Sequence, residues 1–300
     1  MKCILYTLIT LRLLNCALAT PPVLEHLNRL PSKVDLGAYD NRHEFDDLRT
    51  LKYEVIWCNL DKYRNGKLLP QLAKIVNKGR TPIVTIEAYP IPAIGGKETL
   101  LPDITAGKYD GIIFAMATET DSLGSPVCVR FAPEMDMDTD KPYARKPPEI
   151  FIPAYQHFVS VFRDASPTSL LIWTSVGNQG GEKYYPGDDY VDYTGYSLYE
   201  QADASKLWCG HERSFADWMN EKYPAFAKLG KPIMITELGI WGSAQKQRSW
   251  MEDAFATVGN YPLVKALIYF NAQDSVSWRK WGAPGAPNWR INPSILSNRE

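Results

Sequence analysis

The stretch Val127–Asp136, VCVRFAPEMD, joins two patterns that do not ordinarily meet. Its first six residues have the composition of a buried β-strand, and its last four place Glu134 directly after Pro133. A strand covered on both faces has no use for a carboxylate among its apolar layers, so the acid belongs at the strand's carboxyl end. Seven other runs repeat the apolar half of this pattern: VDLGAY (34–39), YEVIWCNL (53–60), PIVTIEAY (82–89), LLIWTSV (170–176), YVDYTGYSL (190–198), PIMITEL (232–238) and VKALIYF (264–270). All are near-continuous in Val, Ile, Leu and aromatic residues, as parallel strands with both faces covered are, rather than alternating as half-exposed strands do.

Helical patterns lie between the runs. In EIFIPAYQHFVSVFRDA (149–165) the residues Ile150, Ile152, Tyr155, Phe158, Val159 and Phe162 recur at three- and four-residue steps. Others are HEFDDLRTL (43–51), LPQLAKIVNKG (69–79) with Gly79 placed as a C-terminal cap, SFADWMNEKYPAFAKLG (214–230) and QRSWMEDAFATV (247–258). Eight strands alternating with helices predict an α/β fold of the (β/α)8 TIM-barrel type, a single domain over residues 20–300.

In such a barrel the chemistry collects at the carboxyl ends of the strands. Those ends read Tyr39-Asp40, Asn59, Glu87, Glu134-Met135-Asp136, Asn178, Tyr199-Glu200, Glu237 and Asn271. Acids, amides and tyrosines dominate. His26, His43, His157 and His211 all fall in helix or loop, and no Cys/His pair has zinc-ligand spacing, so neither a metal nor an organic cofactor is expected.

Glu134 ends the fourth run and Glu237 the seventh, separated by 237 − 134 = 103 residues, about three βα units of roughly 35 residues. Either acid alone would pass for a salt-bridged carboxylate at a strand end. Two carboxyls facing one cleft instead suit glycoside hydrolysis, in which one must be protonated to donate to the leaving oxygen while the other stays ionised. Trp57, Trp173, Tyr39, Tyr89, Tyr196 and Tyr199 lie on or near strand ends, and the apolar faces of sugar rings stack on such side chains.

These residues sit in phrases that resemble family 26 of the glycoside hydrolases: DITAGKYDG (103–111), VRFAPEMD (129–136), YQHFVSVFRDASPTSLLIWTSVGN (155–178), YPGDDYVDYTGYSLYE (185–200), KPIMITELG (231–239) and YPLVKALIYFN (261–271). The resemblance covers about two thirds of residues 20–300. It implies a retaining barrel enzyme with Glu134 as acid/base and Glu237 as nucleophile. It also implies that Tyr199 hydrogen-bonds the nucleophile and keeps it ionised, and that Trp173 lines the sugar site. Tyr39, Glu87, Arg130 and Asn271 complete the expected substrate-binding set. Mannan-cleaving members usually carry histidine before the acid/base, where this chain has Pro133, and asparagine after the methionine, where it has Asp136. A carboxylate at position 136 is expected to raise the pKa of Glu134.

The function expected is a retaining endo-β-glycanase acting on β-1,4-linked polysaccharide, either β-mannan or mixed-linkage β-glucan. A non-catalytic glycan-binding or polysaccharide-assembly protein on the same barrel is the alternative. With a formal net charge of −1 and no Lys/Arg-rich block, the chain lacks the field that nucleic acid or an anionic membrane would need. The opening MKCILYTLITLRLLNCALA (1–19) fits a secretory signal cleaved after Ala19, which predicts a secreted or periplasmic protein with no membrane attachment, and a monomer is expected. Cys58, Cys128 and Cys209 would remain, of which at most two can pair. The loops GGKETLLP (95–102) and QGGEKYYPGDD (179–189) are candidates to close the cleft.

Overall fold

The structure, a computed structural model, describes residues 34–297; the predicted signal segment lies outside them. Eight parallel strands close into one barrel in sequence order: β1 (Asp35–Asp40), β2 (Leu51–Asn59), β3 (Thr81–Glu87), β4 (Cys128–Phe131), β5 (Leu170–Ser175), β6 (Tyr193–Gln201), β7 (Ile233–Trp241) and β8 (Val264–Asn271). Closure runs through six paired residues of β1 and β8, from Asp35 opposite Ala266 to Asp40 opposite Asn271. All eight apolar runs are strands, and the (β/α)8 expectation holds.

The barrel's inner layers are filled by Tyr53, Val55, Ile83, Cys128, Ile172, Tyr193, Met234, Ala266 and Ile268. A second, larger core lies between the strands and the helices. Because successive side chains of a strand point to opposite faces, Ile172 faces inward while Leu171 and Trp173 face the helices.

Helices follow six strands: α1 (Leu69–Asn77), α2 (Leu100–Thr105), α3 (Asp110–Asp121), α4 (Pro148–Ala165), α5 (Ala202–Cys209), α6 (Phe215–Ala227), α7 (Ala244–Thr257) and α8 (Ser294–Ser297). Several carry the expected punctuation. Gly79 has φ +74° just past α1, and Ser214 and Asp217 form a capping box at the start of α6.

Two connections depart from strict alternation. β5 and β6 are joined by short 3-10 turns only, and the predicted helix at 43–51 is absent. There the buried Arg80 guanidinium donates to the carbonyls of Phe45, Asp46 and Leu48, and Asp40 accepts from the Arg42 and Phe45 amides. Backbone groups that a helix would pair internally are thus already committed elsewhere. Conversely, α2, α3 and α5 occupy segments with no strong helical period, and α5 stands at the barrel mouth after β6.

Candidate active site

At the carboxyl ends of the strands opens a cavity of about 1020 Å³ lined by both Glu134 and Glu237. Each acid reaches it through a local irregularity. After β4, Ala132 (φ +42°) and Glu134 (φ +58°) are both left-handed, a conformation costly for residues with a Cβ, on the order of 1–3 kcal/mol each. The Ala132 amide is held by the Ile86 carbonyl of β3 at 2.9 Å and the Glu134 amide by the Thr174 carbonyl of β5 at 3.1 Å. Pro133 lies between them and offers no donor of its own. Neighbouring strands therefore impose the turn that swings Glu134 over the mouth.

Glu237 is aimed by a bulge. Tyr196 of β6 pairs with Ile235 and Ser197 with Glu237, so Thr236 is an extra residue in β7. One extra residue reverses the alternation beyond it, which brings Glu237 to the same inner face as Met234. Room for the bulge comes from Gly195, where a Cβ would stand 2.5 Å from the Met234 carbonyl and 2.9 Å from the Thr236 methyl.

The Glu237 carboxylate accepts from Arg130 Nη1 at 2.5 Å and from the Tyr199 hydroxyl at 2.6 Å. Arg130 is buried and braced by its Nε bond to Thr174 Oγ1 at 2.8 Å. Glu134 accepts from the Ser197 hydroxyl at 2.5 Å, and the Lys141 ammonium stands 3.7 Å from its other oxygen. Lys141 also pairs with Glu87 at 3.0 Å and lies 5.9 Å from the centre of the Trp57 ring, so it ties together the ends of β2, β3 and β4. On the far side the buried Lys222 donates to the carbonyls of Val176 and Ser197, at 2.5 and 2.9 Å.

Burial raises the pKa of Glu134, but Lys141, Arg130 and the Ser197 hydroxyl together outweigh it and hold the carboxyl below its ordinary range. For Glu237, burial and then the charge of Glu134 win over Arg130 and Tyr199, and its pKa rises. Both departures correct the sequence expectation. The Tyr199 bond does favour the ionised form, yet it does not dominate. Asp136, expected to push Glu134 upward, is occupied elsewhere: it accepts from Ser175 Oγ at 2.6 Å and the Val176 amide at 3.0 Å, pinning the β4 loop to β5. Burial pushes the Lys222 ammonium down to about 8.

The expected binding residues divide sharply. Tyr39, Trp57, Tyr89 and Tyr199 line the cavity. Arg130 lies beneath it as the support of Glu237, and Glu87 reaches it only through Lys141. Trp173 is a correction: it is fully buried on the helix side of β5, between Tyr185 and Phe226, because strand pleating turns it away from Thr174 and the mouth. Asn271 is another, for its side chain donates to Asp40 and Glu44 and accepts from the Ile291 amide, stitching the chain after β8 to the barrel. Tyr196 is buried against α6, its hydroxyl 3.3 Å from the Met219 sulfur. Of the two candidate closing loops, 179–189 contributes Gln179 to the cavity wall and 95–102 contributes nothing.

Sequence reasoning missed Ser197, Lys141, Trp208, Trp218, Trp278 and Trp281, all in the cavity wall. Ser197 was recoverable, since it lies two residues from Tyr199 and shares its face. The others stand on loops and on helices at the mouth, where no period marks them.

A glutamate pair at the ends of strands four and seven, opening into an aromatic cleft at the carboxyl face of a (β/α)8 barrel, is the arrangement the sequence resemblance calls for. Comparison with known proteins bears that resemblance out. No protein-family model matches the chain. Endoglucanase H of Acetivibrio thermocellus is 28% identical over 233 residues, covering 72% of this chain and 24% of that protein, so the chain spans about a quarter of this relative's length. Among solved structures, GH26C from Muricauda sp. shares the fold with a TM-score of 0.64 at 14% identity, covering 82% of this chain and 80% of that one. A family 26 β-mannanase from Bacteroides ovatus gives 0.60 at 16% identity, covering 92% and 88%. A β-mannanase from a symbiotic protist of the termite Reticulitermes speratus, complexed with gluco-manno-oligosaccharide, gives 0.61 at 14%, covering 90% and 87%. At these identities the structures establish the shared fold.

Proposed function

We propose that this chain is a family 26 glycoside hydrolase, a retaining endo-β-glycanase that cuts β-mannan or mixed-linkage β-glucan. The observation that carries the proposal is the buried pair Glu134 and Glu237, each delivered by a backbone irregularity to one aromatic-lined cavity. Similarity to an endoglucanase supports a glucan, and likeness to β-mannanases a mannan. The proposal includes export, with residues 1–19 acting as a cleaved signal so that the protein meets its polymer outside the cytoplasm, secreted or in a periplasm.

In this reading the Glu237 carboxylate, oriented by Arg130 and Tyr199, attacks the anomeric carbon while Glu134 gives its proton to the departing glycosidic oxygen. A glycosyl ester forms on Glu237, and its charge disappears. Glu134, now ionised and flanked by Lys141 and Lys222, removes a proton from water, whose oxygen displaces the ester and restores Glu237. The positive surroundings of Glu134 suit the second step better than the first. Between the two pKa values the free protein's single proton rests mainly on Glu237, so the first step draws on the less populated singly protonated form.

That reversed charge balance is also what favours the second reading, a glycan-binding protein without catalysis on the same barrel. Release of reducing ends from a panel of β-mannan, glucomannan and mixed-linkage β-glucan separates the two. The enzyme reading expects release from at least one polymer, lost in Glu237→Ala. Glu134→Ala should lose about 10²–10⁴-fold on polymer, and much less on aryl glycosides whose leaving group needs no proton. Binding without release on every polymer would establish the second reading instead.

A further inference from the structure

Trp208, on α5 at the barrel mouth, is 66% exposed, and Leu207 beside it 65%. Single exposed apolar side chains are ordinary, but two adjacent ones at the rim of a cavity form a patch suited to binding. Trp208 is not loosely placed. Its indole N–H donates to the Trp281 carbonyl of the loop after β8 at 2.8 Å. The same loop docks α5 at Gly282 (φ +93°), where a Cβ would stand 2.6 Å from Leu207 Cδ2. These two contacts fix the helix and the indole edge while leaving the ring face bare, since among the described residues Trp208 has no ring or cation packed on it.

Its neighbours are otherwise covered. Trp281 carries the Lys280 ammonium 4.7 Å over its ring, and Trp278 packs edge-on against Trp281, Tyr199 and Trp289. Trp218 lies under the Arg213 guanidinium at 3.9 Å. Among the described residues Trp208 is the one of these four tryptophans with no ring or cation packed on it, and it shares the cavity with Glu134 and Glu237. About 10 Å of helix separates it from the end of β6, at 1.5 Å per residue, so it stands on the cavity wall away from the strand ends that carry the carboxyl pair.

We propose that Trp208 is the stacking platform of a distal subsite, binding the face of a neutral sugar several units along the same β-linked chain. A rigid amphipathic ring gives contact area at small entropic cost, and its flat apolar face matches the axial hydrogens of a pyranose. The nearby cations favour an uncharged sugar because they are already engaged, Arg213 with Glu221 and the Asp217 carbonyl and Lys280 with the Asp138 carbonyl. This inference rests on the glycan reading above and adds a site remote from the reacting bond.

The test is calorimetric binding of gluco-manno- and mixed-linkage gluco-oligosaccharides of increasing length to Glu237→Gln protein, with and without Trp208→Ala. Affinity should climb with length in Glu237→Gln and stop climbing in the double variant, a loss of about tenfold for the longest chains. Trp208→Phe, which keeps a flat ring, should restore most of it. Equal losses at every length, or identical length dependence in the two proteins, would overturn the platform while leaving hydrolysis by the unmodified protein intact. No binding at any length, together with no hydrolysis of either polymer, would overturn the glycan reading and the subsite with it.

Discussion

Lys141 shows how one side chain outside any strand can govern the charge of a carboxyl at the barrel mouth. It stands 3.7 Å from Glu134 and 3.0 Å from Glu87, and its positive charge favours the carboxylate form of Glu134 over the acid. Replacing it with methionine removes that preference, so the pKa of Glu134 should rise. Glu134 is the lower-titrating member of the pair, and hydrolysis needs one proton kept and one lost. The acid limb of kcat/KM against pH should therefore move to higher pH in Lys141→Met, while the productive form becomes more populated, tenfold for each unit gained. A limb that stays in place would show that Arg130, Ser197 and Lys222 set the proton order without it. The two glutamates were legible because a carboxylate ending an apolar run is out of place. Lys141 was not, since a lysine in a polar loop looks like any solvated charge until the fold brings it against two acids.

At the scale of elements, the site depends on where regular structure is broken. The eight strands were legible as continuous apolar runs, but the bulge at Thr236 lies within one such run, PIMITEL, and leaves no trace in composition. Its partner is Gly195. A Cβ there must displace the Met234 carbonyl or the Thr236 methyl, and either movement shifts Glu237. Gly195→Ala should thus cost about a hundredfold in kcat/KM, as displacements near 1 Å do, with smaller loss of stability. Near-native activity in this variant, measured alongside its thermal unfolding, would disprove the role of the bulge. The helix α3 was missed for another reason: its Phe114 is exposed and its Glu119 is buried, which blurs the apolar stripe. Glu119 accepts from the Tyr63 hydroxyl and from the amides of Gly66, Leu68 and Leu69, so it anchors the start of α1 rather than serving the cleft.

For the molecule as a whole, the barrel divides apolar side chains into those that face the helices and those that reach the mouth, and residue type alone does not tell them apart. Trp57 and Trp173 both lie near strand ends and both read as sugar platforms, yet of the two only Trp57 reaches the cavity. Trp173→Ala should destabilise the protein by about 3–5 kcal/mol, the usual cost of emptying a large core site, seen as a lower urea midpoint with KM for polymer unchanged in the folded fraction. A raised KM without destabilisation would return Trp173 to the binding surface. The proposed double displacement uses the carboxyls of strands four and seven together, and proton NMR of the first product released from a cleaved β-glycan distinguishes it from a single displacement. Hydrolysis through a glycosyl ester on Glu237 predicts the β-anomer first, with α appearing only by later mutarotation; α-anomer first would contradict the account.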